Sequence, residues 1–272
     1  MYRDDELTIF DTEGPPPLPP AASRDVVDVD GARIWFASFG HGPAVVLLHG
    51  GMGNAGNWGL QVPALVAAGY TAIVVDSRGQ GRSTRDGRPF SYAQMATDTL
   101  AVLDQLQVAR AAFIGWSDGA VTSLLLSDRH PERSAGVFFF ACNVDSTGTK
   151  PFVYSDVIGR CLSRHRKDYA ALSATPGDFD AVFEAVGEMQ RTQPNLTATD
   201  LSRIQVPVWS VLGAGDEFIE PAHADYLATA IPGAKRVELP AVSHFAPVQR
   251  PDIFNAATLD FLAEVQPSHP IG

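Results

Sequence analysis

The sequence AAFIGWSDG at residues 111–119 decides the fold of this chain. Residues 111–116 form an apolar run typical of a strand that is buried on both faces, and a helical pattern follows. Ser117 lies at the junction, with a glycine two positions before it and another two positions after it. Glycine allows strand and helix to approach closely, so the pattern predicts a tight turn with the serine hydroxyl projecting from its tip.

From residue 25 onward, short strand-like runs alternate with helical patterns. This alternation predicts an α/β fold, with a mostly parallel sheet covered by helices on both faces. Eight strands are predicted, at residues 26–29, 33–39, 44–48, 71–75, 112–115, 137–141, 208–212 and 236–239. An Asp-Gly pair at residues 30–31 joins the first two strands as a hairpin.

Residues 144–203 break the alternation, because they contain helical pieces and no convincing strand. We interpret them as a helical cap inserted after the sixth strand, over the carboxyl edge of the sheet, where sites on such sheets lie. The core is then formed by residues 25–143 and 204–272. Residues 1–24 are predicted to be a proline-rich N-terminal arm that lies on the body or extends into solvent.

Composition and charge restrict the possible partners. The 272 residues carry a formal net charge of -11, which argues against nucleic acid and anionic membranes because both would be repelled. The N-terminus lacks the apolar core of a signal peptide and no apolar run is long enough to span a membrane, so we expect a cytoplasmic protein. A small molecule is the expected partner, and the sequence gives no indication of the oligomeric state.

The chain has two cysteines, Cys142 and Cys161. They are too few for a disulfide scaffold and their spacing is not that of a metal site. We expect two buried, reduced thiols, no metal and no cofactor.

The serine is followed by an acid and a histidine, each placed after a predicted strand. Asp216 follows the seventh strand and His244 follows the eighth. Acyl transfer by a serine needs a base and a carboxylate that orients the base, so Ser117, Asp216 and His244 are the predicted catalytic residues. Glu217 and Asp145 remain alternatives for the acid, and Asp216 is favoured.

A glycine-rich bend, HGGMG at residues 49–53, follows the third predicted strand. Such a bend presents bare backbone N–H groups beside the serine turn. The predicted oxyanion hole consists of the N–H of Asp118 and that of Gly51 or Met52. Loss of one such donor typically costs roughly 3 to 4 kcal/mol of transition-state stabilisation.

These motifs together resemble the α/β-hydrolase superfamily, with agreement from about residue 25 to the C-terminus. The resemblance is carried by HGG at 49–51, DSRGQGRS at 76–83, GWSDG at 115–119, Gly215-Asp216 and His244. It implies an α/β-hydrolase fold, a structural role for His49, and a structural turn at 76–83 in which neither Asp76 nor Arg78 is catalytic. The segment WSDG at 116–119 is also similar to that of amino-acid-ester hydrolases related to valacyclovir hydrolase, in which the aspartate after the nucleophile holds a substrate ammonium.

Asp118 has two explanations. An acid in the first turn of a helix is stabilised by up to about 1 kcal/mol through the helix dipole. Its charge also lies beside the developing oxyanion, and at about 7 Å with an effective dielectric of about 20 the repulsion is roughly 2.4 kcal/mol. A cation must offset this repulsion, supplied either by the substrate or by one of six side chains of the protein: Arg78, Arg82, Arg160, Arg164, Arg166 and Lys167.

The sequence therefore predicts a cofactor-independent serine hydrolase that cleaves a carboxylic ester or lactone of a small molecule through an acyl-enzyme. Trp58, Phe152 and Tyr154, with Asp118, are the candidate substrate-binding residues. One alternative is an aminopeptidase, amidase or amino-acid-ester hydrolase that uses Asp118 for a substrate ammonium. A carbon–carbon bond hydrolase and a non-hydrolytic small-molecule-binding protein on the same fold are the others. Epoxide hydrolase and dehalogenase chemistry is disfavoured, since those members of the superfamily have an aspartate in place of Ser117.

Overall fold

The apolar runs in the middle of the chain form the buried strands of an eight-stranded sheet. The computed structural model describes residues 5–267. Its strands are β1 (Ser23–Val29), β2 (Ala32–Phe39), β3 (Ala44–Leu48), β4 (Thr71–Val75), β5 (Ala111–Trp116), β6 (Ser134–Phe140), β7 (Val208–Gly213) and β8 (Lys235–Leu239). All eight predicted strands are present, and each begins and ends within three residues of its predicted bounds.

The order of the strands brings the predicted site residues to one edge of the sheet. The order is β1-β2-β4-β3-β5-β6-β7-β8. Strand β2 is antiparallel to β1 and β4, and every other neighbouring pair is parallel. The carboxyl ends of β3, β5, β7 and β8 therefore meet at the same edge, so the loops that follow them lie close together.

Helices cover both faces of the sheet. They are α1 (Asp5–Thr12), α2 (Gln61–Ala67), α3 (Tyr92–Gln105), α4 (Asp118–Arg129), α5 (Asp156–Leu172), α6 (Phe179–Thr192), α7 (Ala198–Ser202), α8 (Pro221–Ala230), α9 (Ala246–Gln249) and α10 (Pro251–Val265). Within residues 5–267, no helix combines the length and the apolar character that crossing a membrane requires.

Alternate residues of the central strands enter two separate cores. On β3, Val46 and Leu48 belong to a buried cluster that α3 and α4 complete, whereas Val45 and Leu47 belong to a second cluster completed by α2 and α10. Successive side chains of a strand point to opposite faces, so an uninterrupted apolar run fills both cores. This is the mostly parallel α/β architecture that the sequence predicts.

The segment between β6 and β7 contains α5, α6 and α7 and no strand of the sheet. Its helices pack on the core, since Phe179, Val186 and Met189 belong to the same buried cluster as Val46. Residues 1–4 of the predicted arm and residues 268–272 of the predicted core lie outside the described residues.

The sequence did not predict α1, which precedes the proline run. Leu7 and Phe10 are three residues apart, so they lie on one face of the helix, and both are buried against α5 and α9. Lys167 of α5 also forms an ion pair with Asp11 at 3.4 Å. The helix therefore contacts both the segment between β6 and β7 and α9, which begins two residues after His244.

We expect Phe10→Ala to destabilise the fold by about 3 kcal/mol, because the ring is 2% exposed and its removal leaves a cavity. Urea denaturation measures the change in the free energy of unfolding. Ile9→Ala is the matched control, because the neighbouring side chain is 51% exposed and its loss should change stability little. Equal effects of the two substitutions would contradict the packing role of α1.

Candidate active site

Ser117 occupies a sharp turn between β5 and α4. Its φ of 54° and ψ of -121° lie in a region that residues with a side chain rarely adopt. Its N–H donates to the Phe140 carbonyl at 2.9 Å, which ties the turn to β6. A Cβ atom at Gly119 would lie 2.0 Å from the Leu48 carbonyl oxygen, and one at Gly115 would lie 2.5 Å from that of Gly119. The two glycines are therefore required by the close approach of strand and helix.

His244 and Asp216 form a buried pair on the loops after β8 and β7. The Nδ1 atom of His244 lies 2.9 Å from Oδ2 of Asp216. The other carboxylate oxygen accepts the N–H groups of Phe218 and Ile219, each at 2.8 Å. The carboxylate is thus fixed by its own loop and orients the imidazole, which is the geometry that the sequence predicts for an acid and a base.

The two alternative acids lie elsewhere. Glu217 accepts the backbone N–H of His244 at 2.9 Å, so it fixes the loop and not the ring. Asp145 accepts the N–H and the hydroxyl of Thr147, at 2.8 and 2.5 Å. Of the three carboxylates, Asp216 is the one bonded to the imidazole of His244.

The charges around His244 favour its protonated form. Burial lowers the pKa of the imidazole, but the carboxylates of Asp216, Glu217 and Asp118 raise it more, so the net pKa is above the ordinary histidine value. The neutral form that accepts a proton therefore becomes dominant only as the pH rises through that raised pKa.

Ser117 and His244 line one cavity of about 370 Å³ at the carboxyl edge of the sheet. Phe152 and Tyr154 line it too, and both are 67% exposed. The interpretation of Trp58 as a cleft residue is wrong: its indole is 0% exposed and lies in the core, edge-on to Trp116. The turn at residues 55–58 directs this side chain inward, and burial of so large an apolar surface stabilises that arrangement.

The two predicted oxyanion-hole donors in the glycine-rich bend after β3 differ in their hydrogen bonds. The N–H of Met52 donates to Oε1 of Gln80 at 2.6 Å, whereas the N–H of Gly51 has no hydrogen-bond partner among the described residues. Asp118 is the first residue of α4, and at that position the N–H has no acceptor within the helix. Of the two predicted alternatives, the geometry favours Gly51 over Met52. The bond to Gln80 depends on a contact 28 residues away and had no signal in the sequence.

His49 fixes this bend. Its Nε2 atom accepts the N–H of Ser77 at 3.0 Å, and its Nδ1 atom lies 2.7 Å from the Gly50 carbonyl. Burial lowers the pKa of His49, and the nearby Asp76 opposes this less strongly. Both ring nitrogens are engaged with backbone groups, so the ring connects the bend to the turn after β4.

Asp118 is a buried carboxylate held by neutral donors. It is 4% exposed and lines the cavity. The Tyr92 hydroxyl donates to Oδ1 at 2.8 Å, and Nε2 of Gln190 lies 3.1 Å from both carboxylate oxygens. Burial raises the pKa of Asp118, and the bonds from Tyr92 and Gln190 oppose that rise. Gln190 comes from α6, 72 residues away in the chain, and the sequence did not predict it.

None of the six cationic side chains considered from the sequence contacts Asp118 in the described part of the chain. Each has another carboxylate partner: Arg78 with Asp98, Arg82 with Asp76, Arg160 with Asp156, Arg164 with Asp168, Arg166 with Asp180, and Lys167 with Asp11. Among the described residues, no lysine or arginine therefore pairs with Asp118, and the one cationic group whose charge acts on it is the protonated form of His244.

Two helices of the inserted segment each present one face to the cavity. The lining residues are Ile158, Cys161, Leu162 and His165 on α5, and Phe183, Val186, Gly187 and Gln190 on α6. Both sets have the i, i+3, i+4, i+7 spacing of a single helix face. The spacing was available in the sequence, but only the position of the helices shows that these faces meet the cavity. Both cysteines, Cys142 and Cys161, are buried, as predicted, and lie outside any disulfide.

The profile of the alpha/beta hydrolase family matches residues 45–257. Serine hydrolase BPHL from Homo sapiens is 25% identical over 247 residues, which are 87% of this chain and 85% of that protein. Epoxide hydrolase B from Mycobacterium tuberculosis is 34% identical over 156 residues, which are 53% of this chain and 42% of that protein. The solved structure of Est816, described as an N-acyl homoserine lactone degrading enzyme, is 28% identical with a TM-score of 0.68, and the match covers 87% of this chain and all of that one.

The matched region runs from β3 to α10, and so it includes the serine turn, the bend after β3 and the loops that carry Asp216 and His244. The agreement thus extends over the sheet and over the loops at its carboxyl edge. On these grounds the chain belongs to the alpha/beta hydrolase family.

Proposed function

We propose that this chain is a serine hydrolase that cleaves a carboxylic ester or lactone of a small molecule. Ser117 is the nucleophile, His244 the general base and Asp216 the carboxylate that orients the base. The observation that carries the proposal is the buried 2.9 Å contact between His244 and Asp216 in the cavity that a strained serine also lines. The similarity to Est816, a lactone-degrading enzyme, supports lactones as one substrate class.

In the first half of the reaction, the Ser117 oxygen attacks the carbonyl carbon while His244 takes its proton. The N–H groups of Asp118 and Gly51 hold the oxygen that becomes negatively charged. The tetrahedral intermediate collapses to the acyl-enzyme, and His244 gives the proton to the leaving alkoxide. For a lactone, the alcohol that is released remains part of the acyl group.

In the second half, a water molecule replaces the alcohol. His244 takes a proton from the water molecule while the water oxygen attacks the acyl carbon. His244 then gives that proton to the Ser117 oxygen as the carboxylic acid leaves. Asp216 keeps the Nδ1 proton directed towards itself throughout, so the opposite ring nitrogen is the one that exchanges protons.

A second candidate function is favoured by Asp118, whose carboxylate adjoins the nucleophile and pairs with no lysine or arginine among the described residues. A substrate with an α-ammonium group would offset the repulsion between this carboxylate and the oxyanion, which is roughly 2.4 kcal/mol. The similarity to serine hydrolase BPHL supports serine hydrolase chemistry, and residues 116–119 resemble those of amino-acid-ester hydrolases. We therefore propose amino-acid esters as the substrate class to test first.

We expect Ser117→Ala to lower kcat/KM for 4-nitrophenyl butanoate by at least about 1,000-fold, because the nucleophile is lost. Release of 4-nitrophenol at pH 7.5 is the measurement. Ser202→Ala, an exposed serine on α7, is the matched control and should leave the rate unchanged. Equal rates for wild type and Ser117→Ala would reject the serine mechanism, and no turnover by either would favour a binding protein.

After division by the ratio of the rates with hydroxide, we expect the wild type to prefer L-alanine benzyl ester over benzyl propanoate by at least about tenfold at pH 6, the size of a hydrogen bond to a charged group. Asp118→Asn should remove most of this preference. Since the pKa of Asp118 is raised, the preference should decline as the pH falls through that pKa, and taking the ratio of two substrates cancels the titration of His244. Kinetics with Asp260→Asn, an exposed aspartate, provide the control, and equal rates for the two esters would reject ammonium binding.

A further inference from the structure

The two helix faces that line the cavity each end in a polar side chain. On α6 the polar residue is Gln190, whose amide holds Asp118. On α5 it is His165, three residues after the apolar Leu162. Gln190 thus has a function within the protein, whereas nothing in the proposed catalytic machinery uses His165.

The imidazole of His165 has no hydrogen bond among the described residues. The side chain is 6% exposed, and its Nδ1 atom is fully enclosed without a partner. An enclosed polar group without a partner typically costs about 1 to 3 kcal/mol. A leucine at this position would pack against the same apolar surroundings without that cost, so packing alone does not account for a histidine here.

The ring is held in place by its neighbours on two sides. Phe10 of α1 meets it edge-on, with ring centroids 5.9 Å apart and planes at 74°. On its own helix, Arg164 and Asp168 pair with each other beside the ring, which leaves neither as its partner. The imidazole is therefore pre-positioned at the cavity wall, so little conformational entropy remains to be lost when a ligand binds.

The charge state of His165 restricts what it recognises. Burial lowers the pKa of His165 to about 4, and the nearby Asp168 opposes this less strongly. At neutral pH the ring is therefore uncharged, with one nitrogen that donates and one that accepts a hydrogen bond. Because Nδ1 is fully enclosed, the other ring nitrogen, Nε2, is the one that can face a ligand in the cavity. The uncharged ring has no charge to attract an anion, and it pairs with a neutral hydroxyl, ether or carbonyl group.

We propose that His165 is a specificity-determining residue, which hydrogen-bonds a neutral oxygen-bearing group of the substrate that is separate from the scissile carbonyl. This inference rests on the proposed function and names a further feature of its substrate. The cavity then has two polar recognition points, Asp118 of α4, which Gln190 of α6 holds, and His165 of α5. Apolar side chains such as Ile158 and Phe183 lie on the same faces of α5 and α6.

Two matched pairs of esters test the proposal, one pair for each side of the scissile bond. The acyl pair is 4-nitrophenyl hexanoate and 4-nitrophenyl 5-oxohexanoate, and the alcohol pair is butyl butanoate and 2-methoxyethyl butanoate. Within each pair, the two esters have chains of the same length and differ mainly in the additional oxygen. Each ratio of kcat/KM is divided by the ratio of the rates with hydroxide, because this division removes differences in chemical reactivity. We expect the wild type to prefer the oxygenated ester of at least one pair by about fivefold, the size of one neutral hydrogen bond.

Substitutions at His165 show whether the ring causes this preference. His165→Phe keeps a ring against Phe10 and removes the hydrogen bond, so the oxygenated ester should lose its advantage. His165→Gln retains a donor and an acceptor and should recover part of it. A purely structural role would change both esters of a pair equally. His41→Phe, an exposed histidine after β2, is the matched control and should keep the wild-type ratio.

The proposal is overturned if the wild type discriminates less than about twofold in both pairs, or if His165→Phe leaves the ratio unchanged. Calorimetric titration of the alcohol pair into Ser117→Ala and into Ser117→Ala with His165→Phe measures the same preference without turnover. If Ser117→Ala still hydrolyses esters, the proposed function fails, and the kcat/KM ratios of the wild type and of His165→Phe still decide the role of His165. If hydrolysis depends on Ser117 but neither kinetics nor binding responds to His165, only the present inference fails.

Discussion

The close contact between β5 and α4 is the constraint on which the site depends. The backbone can turn through Ser117 at φ 54° only because Gly115 and Gly119 have no side chains, so that the strand and the helix can approach each other closely. The same turn makes Asp118 the first residue of α4. It thereby directs the N–H of Asp118 towards the proposed oxyanion position and its carboxylate into the cavity, so one local backbone geometry positions three of the proposed functional groups.

The charged side chains that raise the pKa of His244 are all carboxylates. Three carboxylates act on His244, and together they raise its pKa although burial lowers it. Asp216 and Glu217 belong to the loop that orients the imidazole, and their charge would stabilise the protonated ring that the proposed mechanism requires. Asp118 is farther down the order of influence on His244, and its own hydrogen bonds come from the neutral donors Tyr92 and Gln190. A cationic substrate group would balance this charge, and that need links the architecture of the site to its proposed selectivity.

Much of the architecture follows from local sequence patterns. Apolar runs fill two cores at once, so all eight strands could be predicted, and the parallel order then brings Ser117, Asp216 and His244 to one edge of the sheet. Features that depend on long-range packing could not be predicted. Trp58 is an aromatic residue near the bend, but its indole is buried against Trp116 and away from the cavity.

The other features that the sequence did not predict also depend on contacts between distant segments of the chain. The N–H of Met52 is bonded to Gln80, and Asp118 is bonded to Gln190, through contacts between segments that are far apart in the chain. No sequence motif marks His165, because the feature that distinguishes it is the absence of a hydrogen-bond partner within the described structure. A missing hydrogen bond becomes visible only when every neighbour of the ring is known.

The most direct test of the central claim is covalent labelling by a fluorophosphonate at neutral pH, followed by intact-mass measurement and peptide mapping. If Ser117 is the activated nucleophile, the wild type should gain one adduct per chain, located on Ser117, and Ser117→Ala should gain none. Asp216→Asn should be labelled much more slowly, because the imidazole loses the carboxylate that orients it. An adduct on another residue, or no adduct on the wild type, would contradict the assignment of Ser117, His244 and Asp216.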